Sequence, residues 1–118
     1  MQTRLVGAVG LLLVALWGCG SYPVPVDGLA AAQGSIRAAQ EVGTTSDPRA
    51  ALHLKLAQEQ LDEAKKLMAD KENKRAEALL LRASADAELA LALSREATMR
   101  AKAKAVQEEL AAAKKGAQ

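Results

Sequence analysis

The chain has 118 residues, of which 50% are hydrophobic and 2% aromatic, and its 16 Lys and Arg balance 14 Asp and Glu. The near-neutral charge argues against a nucleic-acid binder, which normally carries a basic patch, and the single cysteine excludes an intramolecular disulfide. Because alanine is abundant and aromatic side chains are rare, helices form easily around a thin core, without the large apolar pocket that most small-molecule enzymes require.

The N-terminus has the pattern of an export signal. Arg4 precedes an apolar stretch that ends at Trp17, and Gly18 and Cys19 follow it. An apolar stretch of about 7–15 residues is typical of a secretory signal, whereas a membrane-spanning helix needs about 20. The sequence therefore predicts a removable signal peptide over residues 1–18.

The end of this signal, Leu16-Trp17-Gly18-Cys19, resembles the lipobox of bacterial lipoproteins. The resemblance implies cleavage between Gly18 and Cys19, with a diacylglycerol on the Cys19 sulfur and an acyl group on its new amino group. Trp17 departs from the pattern, since that position more often holds a small residue. A free buried thiol or an intermolecular disulfide is the alternative for Cys19. No aspartate follows the cysteine, so the resemblance favours anchoring in the outer membrane, facing the periplasm.

A tether and a first helix follow the cysteine. Residues 19–26 contain two prolines and are predicted to form an extended tether, because each proline restricts the residue before it. A helix is predicted over residues 27–42, with Asp27 as its N-cap and Gly43 as its stop. Its apolar residues recur at spacings of three and four, which places them on one face: Leu29, Ala32, Ile36 and Ala39.

A second helix is predicted over residues 48–69. Asp47 as N-cap and Pro48 at the first helical position form a strong start signal, because an N–H at that position has no intrahelical partner. Its apolar face alternates spacings of four and three, as in a coiled coil: Ala50, Leu54, Ala57, Leu61, Ala64 and Met68. His53, the only histidine, lies beside this face and is interpreted as a boundary residue.

The polar residues 70–73 are predicted to form a turn into a long last helix over residues 73–115. Neither glycine nor proline marks this turn, so one continuous helix over residues 48–115, about 100 Å long, is the alternative. The turn is favoured because the apolar face changes phase across it. We expect an all-α domain over residues 27–118, with three helices built on an antiparallel hairpin and the last helix protruding.

Two apolar seams run along the last helix. We define the first seam as Ala76, Leu80, Ala83, Ala87, Ala90, Ser94 and Ala97, and the second seam as Ala85, Leu89, Ala92, Glu96, Met99, Ala103, Val106, Leu110 and Ala113. Two seams predict two neighbours for the first half of the helix and a different neighbour for the second half. The hairpin leaves roughly half of the helix unpaired, so we predict a partner-binding surface there: Leu89, Met99, Ala103, Val106 and Leu110.

The charged residues are interpreted as a solvated helix surface. Five i,i+4 pairs of opposite charge are expected: Asp62–Lys66, Asp70–Lys74, Arg82–Asp86, Glu96–Arg100 and Lys104–Glu108. With a single histidine and no glycine-rich phosphate loop, the sequence offers no grouping for nucleophilic or metal catalysis. We therefore expect no enzyme activity, no metal, no cofactor and no small-molecule substrate.

The order of these segments resembles a family of short bacterial lipoproteins that is catalogued as a domain of unknown function, number 4398. The likeness covers the tether Tyr22-Pro23-Val24-Pro25, the alanine-rich first helix, Asp47-Pro48, the segment LAQEQLDEA at residues 56–64, and residues 75–93. The resemblance implies a periplasm-facing helical domain anchored to the outer membrane.

Two functional hypotheses follow. The first is a non-catalytic interaction or scaffold protein of the cell envelope, which binds an envelope protein through helix-in-groove or coiled-coil contacts. The second is a self-associating coiled-coil spacer that resembles the murein lipoprotein, although the seams here are mostly alanine rather than Leu, Ile or Val.

Overall fold

A computed structural model describes residues 21–43 and 47–117, and these contain three helices and no strand. Helix α1 spans Val26–Val42, α2 spans Pro48–Ala69 and α3 spans Asn73–Gly116. The predicted all-α fold, with a long last helix, is confirmed. None of the described helices is both long and apolar enough to cross a membrane. The predicted signal peptide and Cys19 lie outside the described residues.

The helices pack as an up-down-up bundle in which α3 is the central element. Helix α2 returns antiparallel to α3, so that Arg49 at its start lies 3.8 Å from Glu96. Helix α1 runs in the same direction as α3, because Gly28 near its start packs on Leu80 and Val42 at its end lies beside Met99. Both shorter helices contact α3 more extensively than they contact each other.

The core is thin and dominated by alanine, as the composition predicts. Its buried members come from all three helices: Ala32, Ile36, Ala57, Leu61, Ala64, Leu67, Ala76, Leu80, Ala83 and Ala87. The small side chains let the helices pack closely, and an ideal Cβ on Gly28 would lie in van der Waals contact with Leu80, 3.5 Å from its Cδ1. Leu80 is fully buried and is the largest such side chain among the described residues.

The start of α1 differs from the prediction, and its end agrees. The helix begins at Val26 rather than at residue 27, and Asp27 lies in the first turn instead of capping it. The physical reason is that the Leu29 N–H donates to the Pro25 carbonyl at 3.0 Å, which closes the first turn one residue earlier. Asp27 still faces the positive end of the helix dipole. Gly43 ends the helix, as predicted, with a φ of 80°.

The turn between α2 and α3 is confirmed, and the continuous-helix alternative is wrong. Lys71 has a φ of 61°, its N–H donates to the Met68 carbonyl at 3.1 Å, and the Glu72 N–H donates to the Leu67 carbonyl at 2.8 Å. These two bonds form a Schellman motif, in which glycine usually occupies the left-handed position. Because Lys71 occupies it here, the sequence carries no glycine to mark the turn.

The five expected charge pairs are confirmed only in part. Glu96–Arg100 and Lys104–Glu108 form, with N–O distances of 2.6 and 3.8 Å. The predicted pair Asp62–Lys66 does not form, because each residue pairs with a partner three positions away: Lys65–Asp62 at 3.5 Å and Lys66–Glu63 at 3.3 Å. The pairs predicted for Asp70–Lys74 and Arg82–Asp86 do not form, because the turn breaks the helix at the first and the Asp86 carboxylate contacts α2 at the second.

The first seam is buried as predicted, whereas every residue of the second seam is exposed. Both α1 and α2 pack on the face that carries the first seam, whose residues are buried from Ala76 to Ser94. On the opposite side, Ala85, Leu89 and Ala92 are exposed even though they lie within the bundle. The two neighbours predicted for the first half of α3 are therefore confirmed, but α1 and α2 lie side by side on the first seam instead of covering one seam each. The separate neighbour of the second half stays a prediction.

Candidate functional site

The most distinctive surface of the protein is the part of α3 that protrudes from the bundle. Every described residue from 98 onwards is exposed, and we call residues 98–116 the overhang. At a rise of 1.5 Å per residue it extends about 28 Å beyond the bundle. The prediction that roughly half of the last helix is unpaired agrees with this geometry.

All five predicted partner-binding residues are exposed. Leu89, Met99, Val106 and Leu110 expose 43, 66, 62 and 55% of their surface, and Ala103 is exposed beside them. Four of the five lie in the overhang at spacings of four, three and four, which aligns them on one face. Leu89 continues this face along the side of the bundle. We call the five residues the binding strip.

A shallow cavity lies at the base of the binding strip, where the end of α1 meets α3. It has a volume of about 300 Å³ and is lined by Val42, Arg95, Thr98, Met99 and Lys102. Val42 and Met99 supply apolar walls, while Arg95 and Lys102 supply two cations. The cavity can therefore receive an apolar side chain whose neighbours are acidic.

A polar group lies where the start of α2 meets α3, next to the base of the overhang. The Asp47 carboxylate is buried, caps α2 by accepting from the Arg49 N–H at 2.8 Å, and pairs with the Arg49 guanidinium at 2.8 Å. Hydrogen bonds from Arg49 lower the pKa of Asp47 to about 2, and the same contact raises the pKa of Arg49. Arg49 also lies 3.8 Å from Glu96, which ties α2 to α3 where the bundle ends.

A second polar group joins the middle of the hairpin, and the sequence analysis missed it. His53 Nδ1 lies 2.8 Å from Asp86 Oδ1, and Gln60 Nε2 donates to Asp86 Oδ2 at 2.8 Å. His53 is half-buried at the edge of the hairpin, in keeping with a boundary position. The available signal was the seven-residue spacing of His53 and Gln60, which places both on the face of α2 that meets α3.

The predicted tether is docked rather than free over its described part. The Tyr22 carbonyl accepts a hydrogen bond from Asn73 Nδ2 at 2.8 Å, and the Tyr22 hydroxyl donates to Glu77. The hydrogen bond to Glu77 raises the pKa of Tyr22. We call residues 22–25 the strap. No local sequence pattern predicts this contact, because its partners are about fifty residues apart.

The structure bears on the remaining site predictions only where it describes the chain. Within residues 21–43 and 47–117, no group of three or more His, Cys, Asp or Glu side chains is placed to hold a metal ion. The predicted cleavage and lipidation residues, Gly18 and Cys19, lie outside these ranges, so both remain predictions.

A comparison with protein families gives one match that covers most of the chain. The family model described as "Domain of unknown function (DUF4398)" matches residues 27–106, which include α1 from Asp27, all of α2, and α3 as far as Val106. Comparisons with curated proteins and with solved structures give no significant match.

Proposed function

The chain belongs to this family of unknown function, and from that premise we propose that it is a non-catalytic interaction or scaffold protein of the bacterial cell envelope. The observation that carries the proposal is the overhang with its exposed binding strip. Met99, Val106 and Leu110 are each more than half exposed. Burying such a side chain fully yields about 1.5–3 kcal/mol, so a partner that covers the strip gains a substantial apolar contribution.

The strip suits one kind of partner. Its residues repeat at the spacing of a coiled-coil face, so a second helix with apolar residues at i, i+3 or i+4, and i+7 can lie along it. One side chain of that helix would enter the cavity between Val42 and Met99. Arg95 and Lys102 at the cavity favour acidic residues beside that anchor. We therefore propose an amphipathic helix with an acidic flank as the partner.

The location is also part of the proposal. We propose that Cys19 carries the lipid and that the domain is anchored in the outer membrane, facing the periplasm. The support is the order of Arg4, the apolar stretch, Gly18 and Cys19, together with the lack of an aspartate after the cysteine. Mass spectrometry of the protein purified from bacterial membranes tests this, since an unmodified Cys19 contradicts it.

The binding strip is tested by a pair of matched double variants. Ala103→Glu with Leu110→Glu places two charges on the strip, and Ala105→Glu with Ala112→Glu places two charges on another exposed face at the same seven-residue spacing. A photo-crosslinking residue at Met99 reports binding in intact cells. We expect the first pair of changes to abolish a specific adduct and the second pair to keep it. An adduct that survives both pairs contradicts the proposal.

A self-associating spacer is the second candidate, and one feature of the overhang favours it. If two overhangs pair antiparallel with Met99 opposite Leu110 of the second copy, Lys102 of each chain lies opposite Glu109 of the other. A parallel pair instead places Glu96 opposite Glu96 in the seam. Complementary charges at such flanking positions are what select coiled-coil partners and orientation.

Light scattering across a range of concentrations separates the two candidates. A monomer at all concentrations favours the interaction protein, and a dimer favours the spacer. If a dimer forms in the antiparallel register, Lys102→Glu and Glu109→Lys should each weaken it, and the double variant should restore it. Restoration fails in a parallel register, because Lys102 and Glu109 then do not face each other.

A further inference from the structure

We infer that the end of the bundle that carries the α2–α3 turn is its membrane-facing end, and that Tyr22, Val24 and Val26 contact the lipid surface. The overhang then points away from the membrane. This inference rests on the proposed lipid anchor at Cys19 and adds to it an orientation and a contact surface. It follows from how the strap is docked.

The strap is attached to the first turn of α3. Asn73 is the first residue of α3 and is 9% exposed, so its 2.8 Å hydrogen bond to the Tyr22 carbonyl is largely shielded from water. Glu77, one turn further along, accepts from the Tyr22 hydroxyl. The Val26 N–H donates to the Val24 carbonyl at 2.9 Å, which tightens the chain as it enters α1. These bonds hold the strap against one end of the bundle.

The chain leaves little distance between the docked strap and the proposed anchor. Tyr22 is three residues after Cys19. Three fully extended residues span about 10–11 Å. A lipid on Cys19 therefore holds the bundle end with Asn73 within about 10–11 Å of the bilayer surface, whatever path the three residues take.

The side chains at this end suit a bilayer surface. Tyr22, Val24 and Val26 expose 40, 55 and 61% of their surface, although all three belong to a segment that is docked and ordered by hydrogen bonds. They line a cavity of about 260 Å³ together with Pro23, Pro25, Asp27, Gly28 and Glu77. Tyrosine is enriched where membranes meet water, because its ring is apolar and its hydroxyl is polar. Exposed valines beside it add apolar area to the contact.

The orientation determines the reach of the binding strip. The strap contacts α3 at its first residue, whereas the overhang begins at residue 98 and the helix ends at Gly116. At 1.5 Å per residue, the overhang lies about 37–65 Å along the helix from the docked strap. If the end of the bundle with the α2–α3 turn faces the membrane, the binding strip lies far from the bilayer. A bundle on a free tether can instead lie flat and cover the strip with lipid.

The inference is tested with the full chain purified from bacterial membranes and reconstituted in vesicles of phosphatidylethanolamine and phosphatidylglycerol. Its lipid is first verified by mass. Because Cys19 is the only cysteine and its sulfur would carry the lipid, a donor dye reacts only with a cysteine introduced by Asp70→Cys or by Ala111→Cys. We expect energy transfer to an acceptor lipid to be several-fold more efficient from position 70 than from position 111.

Release of the strap provides the matched comparison. Tyr22→Phe combined with Asn73→Ala removes both strap contacts, and Lys74→Ala alters an exposed neighbour that contacts neither. The double change should reduce the difference in transfer between the two positions, and Lys74→Ala should leave it unchanged. Equal energy transfer from positions 70 and 111, in a lipidated chain with an unaltered strap, overturns the proposed orientation. If the purified chain carries no lipid, the proposed anchor is wrong instead.

A second readout needs no dye. Tyr22 is the only tyrosine, and the sole tryptophan, Trp17, belongs to the predicted signal peptide. Tyrosine emission from the lipidated chain therefore reports on the strap alone. Vesicles that contain brominated lipids should quench this emission if Tyr22 contacts the bilayer. Emission that brominated lipids leave unchanged overturns the proposed contact.

Discussion

Helix α3 contains two regions of similar composition and opposite environment. From residue 73 to residue 97 its first seam is buried under α1 and α2, whereas the overhang, residues 98–116, is exposed on all sides. Both regions are rich in alanine and both repeat apolar residues at spacings of three and four. The comparison shows that this spacing makes a face suited to packing, and that the presence of a neighbour decides whether the face becomes core or surface.

The largest expected difference between the two regions comes from removing a leucine. Leu80 is fully buried, so Leu80→Ala should lower the free energy of unfolding by about 2–5 kcal/mol. Leu110 is 55% exposed, and Leu110→Ala should change the free energy of unfolding by less than about 0.5 kcal/mol. Urea unfolding followed by circular dichroism measures both. Similar losses at the two positions would mean that the overhang is covered in solution.

Replacing an alanine by leucine should also destabilise the buried region of α3 more than the overhang, but by a smaller amount. Ala83 is fully buried between helices, so Ala83→Leu should overpack the bundle and cost about 1–3 kcal/mol. Ala103 is exposed on the binding strip, and Ala103→Leu should be close to neutral for folding of the monomer. Thermal unfolding of the two variants compares them directly. A tolerated leucine at residue 83 would show that the alanine-rich core is loosely packed.

The turn that separates α2 from α3 offers a stabilising change. Lys71 has a φ of 61° at the position of a Schellman motif where glycine is favoured. Lys71→Gly should therefore raise the free energy of unfolding by roughly 1 kcal/mol, because glycine adopts this conformation without steric cost. Lys74→Gly, inside the first turn of α3, is the control and should destabilise. A loss of stability from Lys71→Gly would contradict the left-handed geometry.

The smallest expected effect concerns the base of the overhang and depends on pH. The folded pKa of Asp47 is about 2, below its ordinary value of 3.8, because Arg49 donates hydrogen bonds to it. A depressed pKa contributes stability that is fully present above about pH 4 and is lost as the pH falls towards about 2. Asp47→Asn keeps a capping side chain without the charge. The stability difference between wild type and Asp47→Asn should therefore shrink across this window.

Thermal unfolding of both proteins between about pH 5 and about pH 2 measures this change. The other carboxylates are common to both proteins, so their contributions largely cancel in the difference. A difference that stays constant across the window would mean that the contact with Arg49 does not form in solution.

Local signals predicted most of the fold because each acts within a few residues. Asp47-Pro48 correctly marked the start of α2, Gly43 marked the end of α1, and the first seam identified the buried face of α3. The start of α1 was misplaced by one residue, because the Leu29 N–H bonds to the Pro25 carbonyl and the helix therefore begins before Asp27. The exposure of the five residues of the binding strip followed from the difference in helix lengths, and their role in binding a partner stays a prediction.

Contacts between distant residues were not predictable in this way. The strap depends on Tyr22 meeting Asn73 and Glu77, and the middle of the hairpin depends on Asp86 meeting His53 and Gln60. The i,i+4 rule assigned Asp86 to Arg82 because that rule describes an isolated helix. In the bundle, His53 and Gln60 of α2 each lie 2.8 Å from the Asp86 carboxylate, which contacts them instead of Arg82.

The sequence by itself determined that the chain is helical, where its helices break, and which faces are apolar, because helix propensity, capping and periodicity act locally along the chain. Only the tertiary structure decided that α1 and α2 share one face of α3, that the second seam stays exposed, and that the strap is docked at the end opposite the overhang. Those outcomes depend on which surfaces meet in space. A run of alanine and leucine at regular spacing fits several neighbours equally well, so packing had to select among them.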